Sequence, residues 1–468
     1  MSEKSSNIYG WRIILIVIIA IAILFGISFL PLNEYSGGVV KDFNLLSDIL
    51  PDGNIDEELV DSVGESIAHS DVEPELLKAM VQEEKREIDT TQVAYDNTPV
   101  IAIQPATDGE LVIIEDYTES GAGLAKLRKS LSSEAHSRIA VIGDSYIEGD
   151  IFTQNLREML QSEYGGAGVG YVNMHSEFPG FRRSILQGGS GWKEYSVKNK
   201  HNKDYITLTQ HYYVPKQKAT STYKGANKIK HTDSWDKSQF IFISPNNTEI
   251  LTRTTDEWVS HAVTGSTELQ AIEYDGVTSR FEVCTSDPSV IGIGVWLTDS
   301  AGVSLDCMSS RGFSGLTLSA VAPDITDQLS KYIDYDLIIL EFGINAMSPR
   351  QKNFNAYAGK MIDVVNHLRV CYPETDILLM GIGDRGERRN GEVHSVISAP
   401  YLVDAQRDVA RKSKCLFWDT RLAMGGEDAV VEWSRKGDIN KDYIHMSHKG
   451  GERLAKLFFD AIQQNLNK

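Results

Sequence analysis

The stretch Ser137-Arg138-Ile139-Ala140-Val141-Ile142-Gly143-Asp144-Ser145 runs from a short apolar segment into an abrupt polar stop. Ile139 to Ile142 predicts a buried strand bounded by turn-forming residues. Beyond it, Phe152, Leu156, Met159 and Leu160 recur at the i, i+4, i+7, i+8 spacing of one helical face. A strand that ends in Gly-x-Ser directly before a helix presents a hydroxyl on a tight turn at the carboxyl edge of a sheet. Open α/β sheets bind ligands at that edge, so Ser145 is the first candidate functional residue.

The α/β pattern returns after Ser309. Segments 336–342 (DLIILEF), 376–380 (DILLM) and 415–419 (CLFWD) predict strands, and 356–370, 401–412 and 450–464 predict helices. This alternation predicts a parallel sheet covered by helices on both faces. Upstream, 111–117 is strand-like and 124–131 is helical. Between about residues 181 and 306 the character changes. Segments 205–209, 240–243, 267–274, 279–284 and 290–297 are rich in Val, Ile, Thr and aromatics, with turn signals at Asn246-Asn247 and Asp275-Gly276. Short strands punctuated by turns predict a β-sandwich, here inserted into the α/β unit. The glycine run at 164–172 follows a helix rather than a strand. It therefore lacks the context of a dinucleotide fingerprint and predicts a turn into a short strand.

Segment 13–32 carries no charge and is dominated by Ile, Leu, Val, Ala and Phe. Roughly 20 apolar residues cross a bilayer, and a cleavable signal peptide has a shorter apolar core, so the expectation is an uncleaved single-pass anchor. Lys4 and Arg12 precede it and acids follow. The positive-inside rule then keeps residues 1–12 cytoplasmic and exports the remainder from the cytoplasmic membrane. From residue 31 to 100 there are 17 Asp and Glu against 4 Lys and Arg, which reads as a solvated acidic spacer over 33–108. The whole chain of 468 residues has a formal net charge of −19. That argues against nucleic acid as a partner, because phosphate binding needs clustered Lys and Arg. None of the four cysteines forms a C-x-x-C pair, which argues against a zinc or redox site. Cys284 and Cys307 are either partners on neighbouring strands or two buried small apolar residues.

A serine hydroxyl needs an adjacent general base, itself oriented by a third group. His445 is the candidate base, with Asp442 three residues before it in Asp442-Tyr443-Ile444-His445. That spacing lets a carboxylate reach Nδ1–H of the same imidazole and leaves Nε2 to take a proton. His448 is the rival but has no carboxylate at the matching offset. Acyl transfer also needs donors aimed at the developing oxyanion. The candidates are the N–H of Gly315 in Ser309-Ser310-Arg311-Gly312-Phe313-Ser314-Gly315, the side-chain amide of Asn345 in Gly343-Ile344-Asn345, and the N–H of Ser145 itself.

Together these four pieces resemble the SGNH, or GDSL, hydrolase family, whose blocks occur in this order: Gly143-Asp144-Ser145, Ser314-Gly315, Gly343-Ile344-Asn345 and Asp442-Tyr443-Ile444-His445. The resemblance implies a three-layer α/β/α sandwich and a Ser145–His445–Asp442 esterase mechanism that uses no metal or cofactor. Ala346 departs from the Asp found there in many members, which puts the rigidity of that loop in question. Residues 148–157, the 165–172 run, Phe417-Trp418-Asp419 with Ala423-Met424-Gly425-Gly426, and Lys441 to His445 are similar to the peptidoglycan O-acetylesterase branch. That branch carries an inserted β-sandwich resembling a carbohydrate-binding module and removes acetyl groups from muramic acid. The implied plan is a cytoplasmic stretch at 1–12, a transmembrane helix at 13–32 and a spacer at 33–108. The catalytic domain follows in two parts, 109–180 and 307–468, around an inserted module at 181–306. The implied substrate is an O-acetylated glycan. An O-acetyltransferase and a non-catalytic glycan-binding scaffold are the alternatives. Arg182-Arg183 and the charged loop 383–390 read either as loops that flank the site or as solvated loops with local ion pairs. Trp192 and Trp433 read either as sugar-stacking or as core residues.

Overall fold

The computed structural model describes residues 111–467 apart from 134, 177, 178 and 200, and in it every residue of the strand Ser137–Gly143 is buried. Side chains alternate across a sheet, so burial at both parities requires cover on both faces. Six strands form this sheet: β1 (Glu115–Asp116), β2 (Ser137–Gly143), β12 (Val303–Ser309), β13 (Leu337–Glu341), β14 (Asp376–Met380) and β17 (Leu416–Trp418). Their spatial order is β1-β17-β14-β13-β2-β12, all parallel except the antiparallel edge strand β1. Counted along the chain without β1, the order is the doubly wound 2-1-3-4-5.

The helices are α1 (Ala125–Leu131), α2 (Thr153–Tyr164), α3 (Pro323–Ser330), α4 (Asn355–Cys371), α5 (Ala399–Lys412), α6 (Thr420–Met424), α7 (Ala429–Arg435) and α8 (His448–Leu466). Helix α2 packs on α8, and α4 packs on α5. Phe152, at the start of α2, meets Phe458 of α8, whose ring lies 4.8 Å from Trp418 of β17. The long helices and the β13, β14 and β17 strands coincide with their sequence expectation to within about two residues at each end. Of segment 111–117, only Glu115–Asp116 pairs as a strand.

The second sheet is antiparallel and has nine strands: β3 (Gly168–Val172), β4 (Ile185–Ser196), β5 (His211–Gly225), β6 (Trp235–Ser244), β7 (Thr248–Arg253), β8 (Val259–Val263), β9 (Ser266–Thr278), β10 (Arg280–Thr285) and β11 (Ile291–Thr298). It branches, with β5 pairing β4, β10 and β11, and β11 pairing β3, β5 and β6. One apolar cluster draws side chains from all nine strands, among them Trp192, Tyr223, Phe240 and Phe281. A flat sheet cannot bring both its edges into one cluster, so this sheet folds over on itself. The chain thus leaves the parallel sheet after α2 and rejoins it at β12.

Four details differ from the sequence expectation. The second sheet begins at Gly168, not near 181, because β3 pairs with β11. The segment 205–209 is not a strand. There Thr207 and Thr209 bond each other and local backbone, which competes with a ladder, and Ile206 and Leu208 are buried in the other core. Asp275-Gly276 is not a hairpin turn but a bulge inside β9, where the register against β6 shifts between Trp235 and Lys237. Finally, β12 is a full member of the parallel sheet although Ser304 and Asp306 interrupt its apolar run. Buried Asp306 accepts from Tyr171 N (2.9 Å), Trp296 Nε1 (2.8 Å) and Tyr335 OH (2.6 Å), joining the two sheets.

Cys284 lies on β10 and Cys307 on β12, both free and buried, so they read as small apolar residues rather than partners. The expected transmembrane helix at 13–32, its flank 1–12 and the spacer lie outside the described residues. Among the described residues no helix is long and apolar enough to cross a membrane.

A buried ion-pair cluster joins the turn after β2 to both sheets. Fully buried Asp150 takes Arg157 Nη1 and Nη2 at 2.8 Å, Ser184 Oγ at 2.5 Å and Arg182 Nε at 3.3 Å. Arg182 also donates to Tyr171 O and Val169 O of β3, and Arg157 Nε to Leu305 O of β12. Burial alone would raise the Asp150 carboxyl, but the two guanidinium charges outweigh it and hold the group far below the usual carboxylate range. Removing one member of a buried pair typically costs about 3–5 kcal/mol, so Asp150→Asn should lower unfolding stability by about that amount in urea titrations at pH 7. A depressed carboxyl stabilises the fold above its unfolded value of about 3.9 and loses that contribution as pH falls below it. The parent protein should therefore lose stability below about pH 4, and Asp150→Asn should show a shallower fall.

Candidate active site

Gly143, Ser309 and Glu341 stand level at the carboxyl ends of β2, β12 and β13. In the 2-1-3-4-5 order the chain reverses direction across the sheet beside β2, so the loops that follow β2 and β13 diverge and leave a crevice. Asp144, fully buried, ties these loops together. Its N–H donates to Glu341 O (3.3 Å), its Oδ1 accepts from Tyr146 N (2.9 Å), and its Oδ2 accepts from Asn345 Nδ2 (2.9 Å). Ser145 follows at the mouth of the crevice.

The segment between α7 and α8 brings His445 to it. Asn440 N donates to His445 O at 2.9 Å and Tyr443 N to Asn440 O at 3.0 Å, closing a tight loop. Tyr443 sits at φ 59°, a left-handed conformation that a bulky residue adopts at a cost. The bend turns the Asp442 carboxylate back on its own chain, where Oδ1 accepts from Ile444 N (3.0 Å) and His445 N (3.1 Å). The hairpin of β15 (Gly386–Arg389) and β16 (Glu392–Ser395) braces the loop: Gly386 N donates to Tyr443 O and Arg388 Nη2 to Tyr443 OH, both at 2.9 Å.

Asp442 Oδ2 lies 2.9 Å from His445 Nδ1, and His445 Nε2 lies 3.0 Å from Ser145 Oγ. An ionised carboxylate only accepts, so Nδ1 carries the imidazole proton and Nε2 accepts from the serine hydroxyl. Partial burial alone would raise the Asp442 carboxyl, but the Ile444 N–H, the His445 side chain and the His445 N–H lower it below its ordinary value. Asp442 and His445 side chains are 45% and 41% exposed, so their pairing orients the ring more than it stabilises the fold. Chemically, the arrangement can make a hydroxyl nucleophilic and return its proton to a leaving group.

The expected oxyanion donors are placed less simply. Gly315 has φ 92°, and a Cβ there would sit 3.0 Å from the Phe342 ring, so only glycine fits. Tyr357 OH fixes the preceding carbonyl, Ser314 O, at 2.9 Å. Asn345 Nδ2 donates to both Asp144 Oδ2 and Phe313 O at 2.9 Å, so both amide hydrogens already have acceptors. The Asn345 turn is held without an Asp at 346: Ala346 N donates to Gly343 O (2.9 Å), and Gln406 Nε2 donates to Phe342 O (2.6 Å).

A cleft of about 360 Å³ opens over these groups and is lined by Ser145, Asp442, His445, His448, Phe181 and Arg311 among others, but not by Gly315 or Asn345. His448 Nδ1 faces Gln154 Nε2 at 3.1 Å rather than a carboxylate. Burial, then the charges of Arg183 and Lys228, hold its imidazole below the ordinary value. Of the charged candidates, Arg182 is structural, and Arg388 serves the loop that carries Asp442 and His445. Trp192 is in the core of the second sheet, and Trp433 is fully buried with Nε1 bonded to Met424 O at 2.8 Å, so neither is open to a sugar. Phe181 and Arg311 carry no functional motif of their own in the sequence, Arg311 standing only as a near neighbour of Gly315. Two segments 130 positions apart carry no mutual signal until they fold. Among the described residues no group of three His, Cys, Asp or Glu side chains is placed to hold a metal ion.

No protein-family model and no curated protein matches the chain. Among solved structures, a peptidoglycan O-acetylesterase is 23% identical with a TM-score of 0.63, covering 76% of this chain and 99% of the other. At that identity the likeness shows a shared fold. A family two carbohydrate esterase from Cellvibrio japonicus (12% identity, TM-score 0.25, 61% of this chain and 98% of the other) and an acetyl xylan esterase (17%, 0.27, 34% and 81%) superpose too loosely to bear on the argument.

The geometry makes Ser145 the group that a fluorophosphonate should label. Ser145→Ala should abolish labelling. Asp442→Asn should slow it by roughly 10³–10⁴ by releasing the imidazole tautomer, as read by gel fluorescence against time.

Proposed function

We propose that this chain is a serine esterase that removes O-acetyl groups from a cell-wall glycan, with peptidoglycan as the substrate. The observation that carries the reading is the continuous line from Asp442 Oδ2 through His445 to Ser145 Oγ, with 2.9 and 3.0 Å links, opening into a cleft at the sheet's switch point. The fold shared with a solved peptidoglycan O-acetylesterase supports the acetyl ester as the bond and the glycan as its carrier. The apolar segment 13–32 and the acidic spacer support an exported enzyme held at the membrane.

In this mechanism Ser145 Oγ attacks the acetyl carbonyl carbon while its proton passes to His445 Nε2. Asp442 stabilises the imidazolium and keeps the ring in place. The developing oxyanion takes the N–H groups of Ser145 and Gly315, and Asn345 Nδ2 exchanges one of its two present acceptors for it. Collapse expels the sugar oxygen, which receives the proton from His445. Water, activated by the same imidazole, then hydrolyses the acetyl-serine and releases acetate.

The test is acetate release from 4-nitrophenyl acetate and from O-acetylated muropeptides, the latter followed by mass. With the parent protein, each acetyl group replaced by hydrogen should lower the muropeptide mass by about 42 Da through the serine route. Asn345→Ala should lower kcat by about 10²–10³. Equal rates for the parent and Ser145→Ala would sink the proposal. Acetate release that waits for an added sugar acceptor would turn it into an acetyltransferase.

A further inference from the structure

Two cleft residues outside the catalytic line stand on the turn that follows the nucleophile. Phe181, in the segment between β3 and β4, is 41% exposed although most large apolar side chains among the described residues are buried. Its ring lies against the backbone of Gly149: a Cβ at that position would fall 2.7 Å from the ring. The next residue, Arg182, is pinned by Asp150, Ser184 and two carbonyls of β3, so the backbone that presents Phe181 is fixed before any ligand arrives. One side of the ring is thus held by the nucleophile's turn, and its exposed part lines the cleft with Ser145. An exposed aromatic in a fixed frame is the surface that packs on the C–H face of a sugar ring.

Arg311 lies in the loop after β12. Its Nε and Nη2 hold the two oxygens of Glu148 at 3.2 and 2.5 Å, which fixes the plane of the guanidinium and turns Nη1 away from Glu148. The Arg311 side chain is 67% exposed and that of Glu148 is 20% exposed, so the acid sits beneath and the cation faces the cleft. Arg183 and Lys228 add positive charge beside His448 of the same cleft. Among the described residues that line the cleft Arg311 is the one guanidinium or ammonium, set against the carboxylates of Glu148 and Asp442.

We infer that Phe181 and Arg311 form a substrate subsite for an acetylated saccharide that carries a carboxylate, with the sugar face on Phe181 and the carboxylate on the open edge of Arg311. The inference rests on the esterase reading and deepens it. The peptide stem of a muropeptide supplies such a carboxylate, whereas an acetylated xylo-oligosaccharide has none. The enzyme therefore discriminates between acetylated glycans by charge as well as by the ester.

Binding separates the subsite from the chemistry. Full-length Ser145→Ala protein is titrated calorimetrically with an O-acetylated muropeptide and with an acetylated xylo-oligosaccharide. Adding Arg311→Gln should weaken muropeptide binding about tenfold, the worth of one charge-assisted contact, and leave the affinity for the neutral oligosaccharide within about twofold. Adding Phe181→Ala should weaken both ligands about tenfold, and Phe181→Trp should restore them. In the enzyme with Ser145 intact, the Arg311→Gln loss should appear in KM rather than kcat. An Arg311→Gln protein that binds the muropeptide as tightly as its parent, or that loses both ligands equally, overturns the inference. Absence of acetate release by the parent protein, with these affinity differences intact, overturns the esterase reading and leaves the subsite standing.

Discussion

The carboxylate of Asp150 is the constraint on which the rest of this structure depends. It is fully buried five residues after Ser145, and a lone charge there would be prohibitively costly. Arg157 from α2, Arg182 and Ser184 from the segment between β3 and β4, and Thr153 at the start of α2 all bond to it. Because the two arginines reach on to carbonyls of β3 and β12, one acid fixes the nucleophile turn, the first helix and both sheets relative to one another. Such a network favours one arrangement because every alternative leaves a buried charge without partners.

A second buried acid, Asp306, closes the same joint from the other side through Tyr171, Trp296 and Tyr335. The excursion between α2 and β12 is therefore fastened to the parallel sheet where it leaves and where it returns. This explains how a segment of the second sheet supplies Phe181 to a cleft whose reacting groups belong to the parallel sheet and the α7–α8 loop. The hydrogen-bonded line itself runs through Ser145, His445 and Asp442 alone. The walls that decide what approaches it come from elsewhere in the chain.

The α/β part was readable because its physics is local. Leu337–Leu340 and Ile377–Met380 are unbroken apolar runs, as suits strands covered on both faces, and α8 shows a long amphipathic period. That Ser145, His445 and Asp442 lie in one hydrogen-bonded line was legible because the three-residue offset of Asp442 suits one imidazole and Gly-Asp-Ser ends a buried strand. Strand β12 was hidden, since Asp306 and Ser304 break its apolar pattern for the sake of a contact with residues over a hundred positions upstream, such as Tyr171. Segment 205–209 misled in the opposite sense: its composition favours a strand, but its threonines bond locally.

By itself, the sequence determined the elements whose stability comes from their own periodicity, and it marked Ser145, His445 and Asp442 as side chains that meet. Tertiary structure alone decided how the nine-stranded sheet folds over on itself, which tryptophans are core, that Asn345 Nδ2 is already engaged by Asp144 and Phe313, and that Phe181 and Arg311 share a cleft with Ser145. The physical reason is range. Hydrophobic period and turn chemistry act over a few residues and leave a trace in each window of sequence. The pairing of a buried charge, or the meeting of two loops over one hydroxyl, depends on distances that exist only after long-range strands have paired.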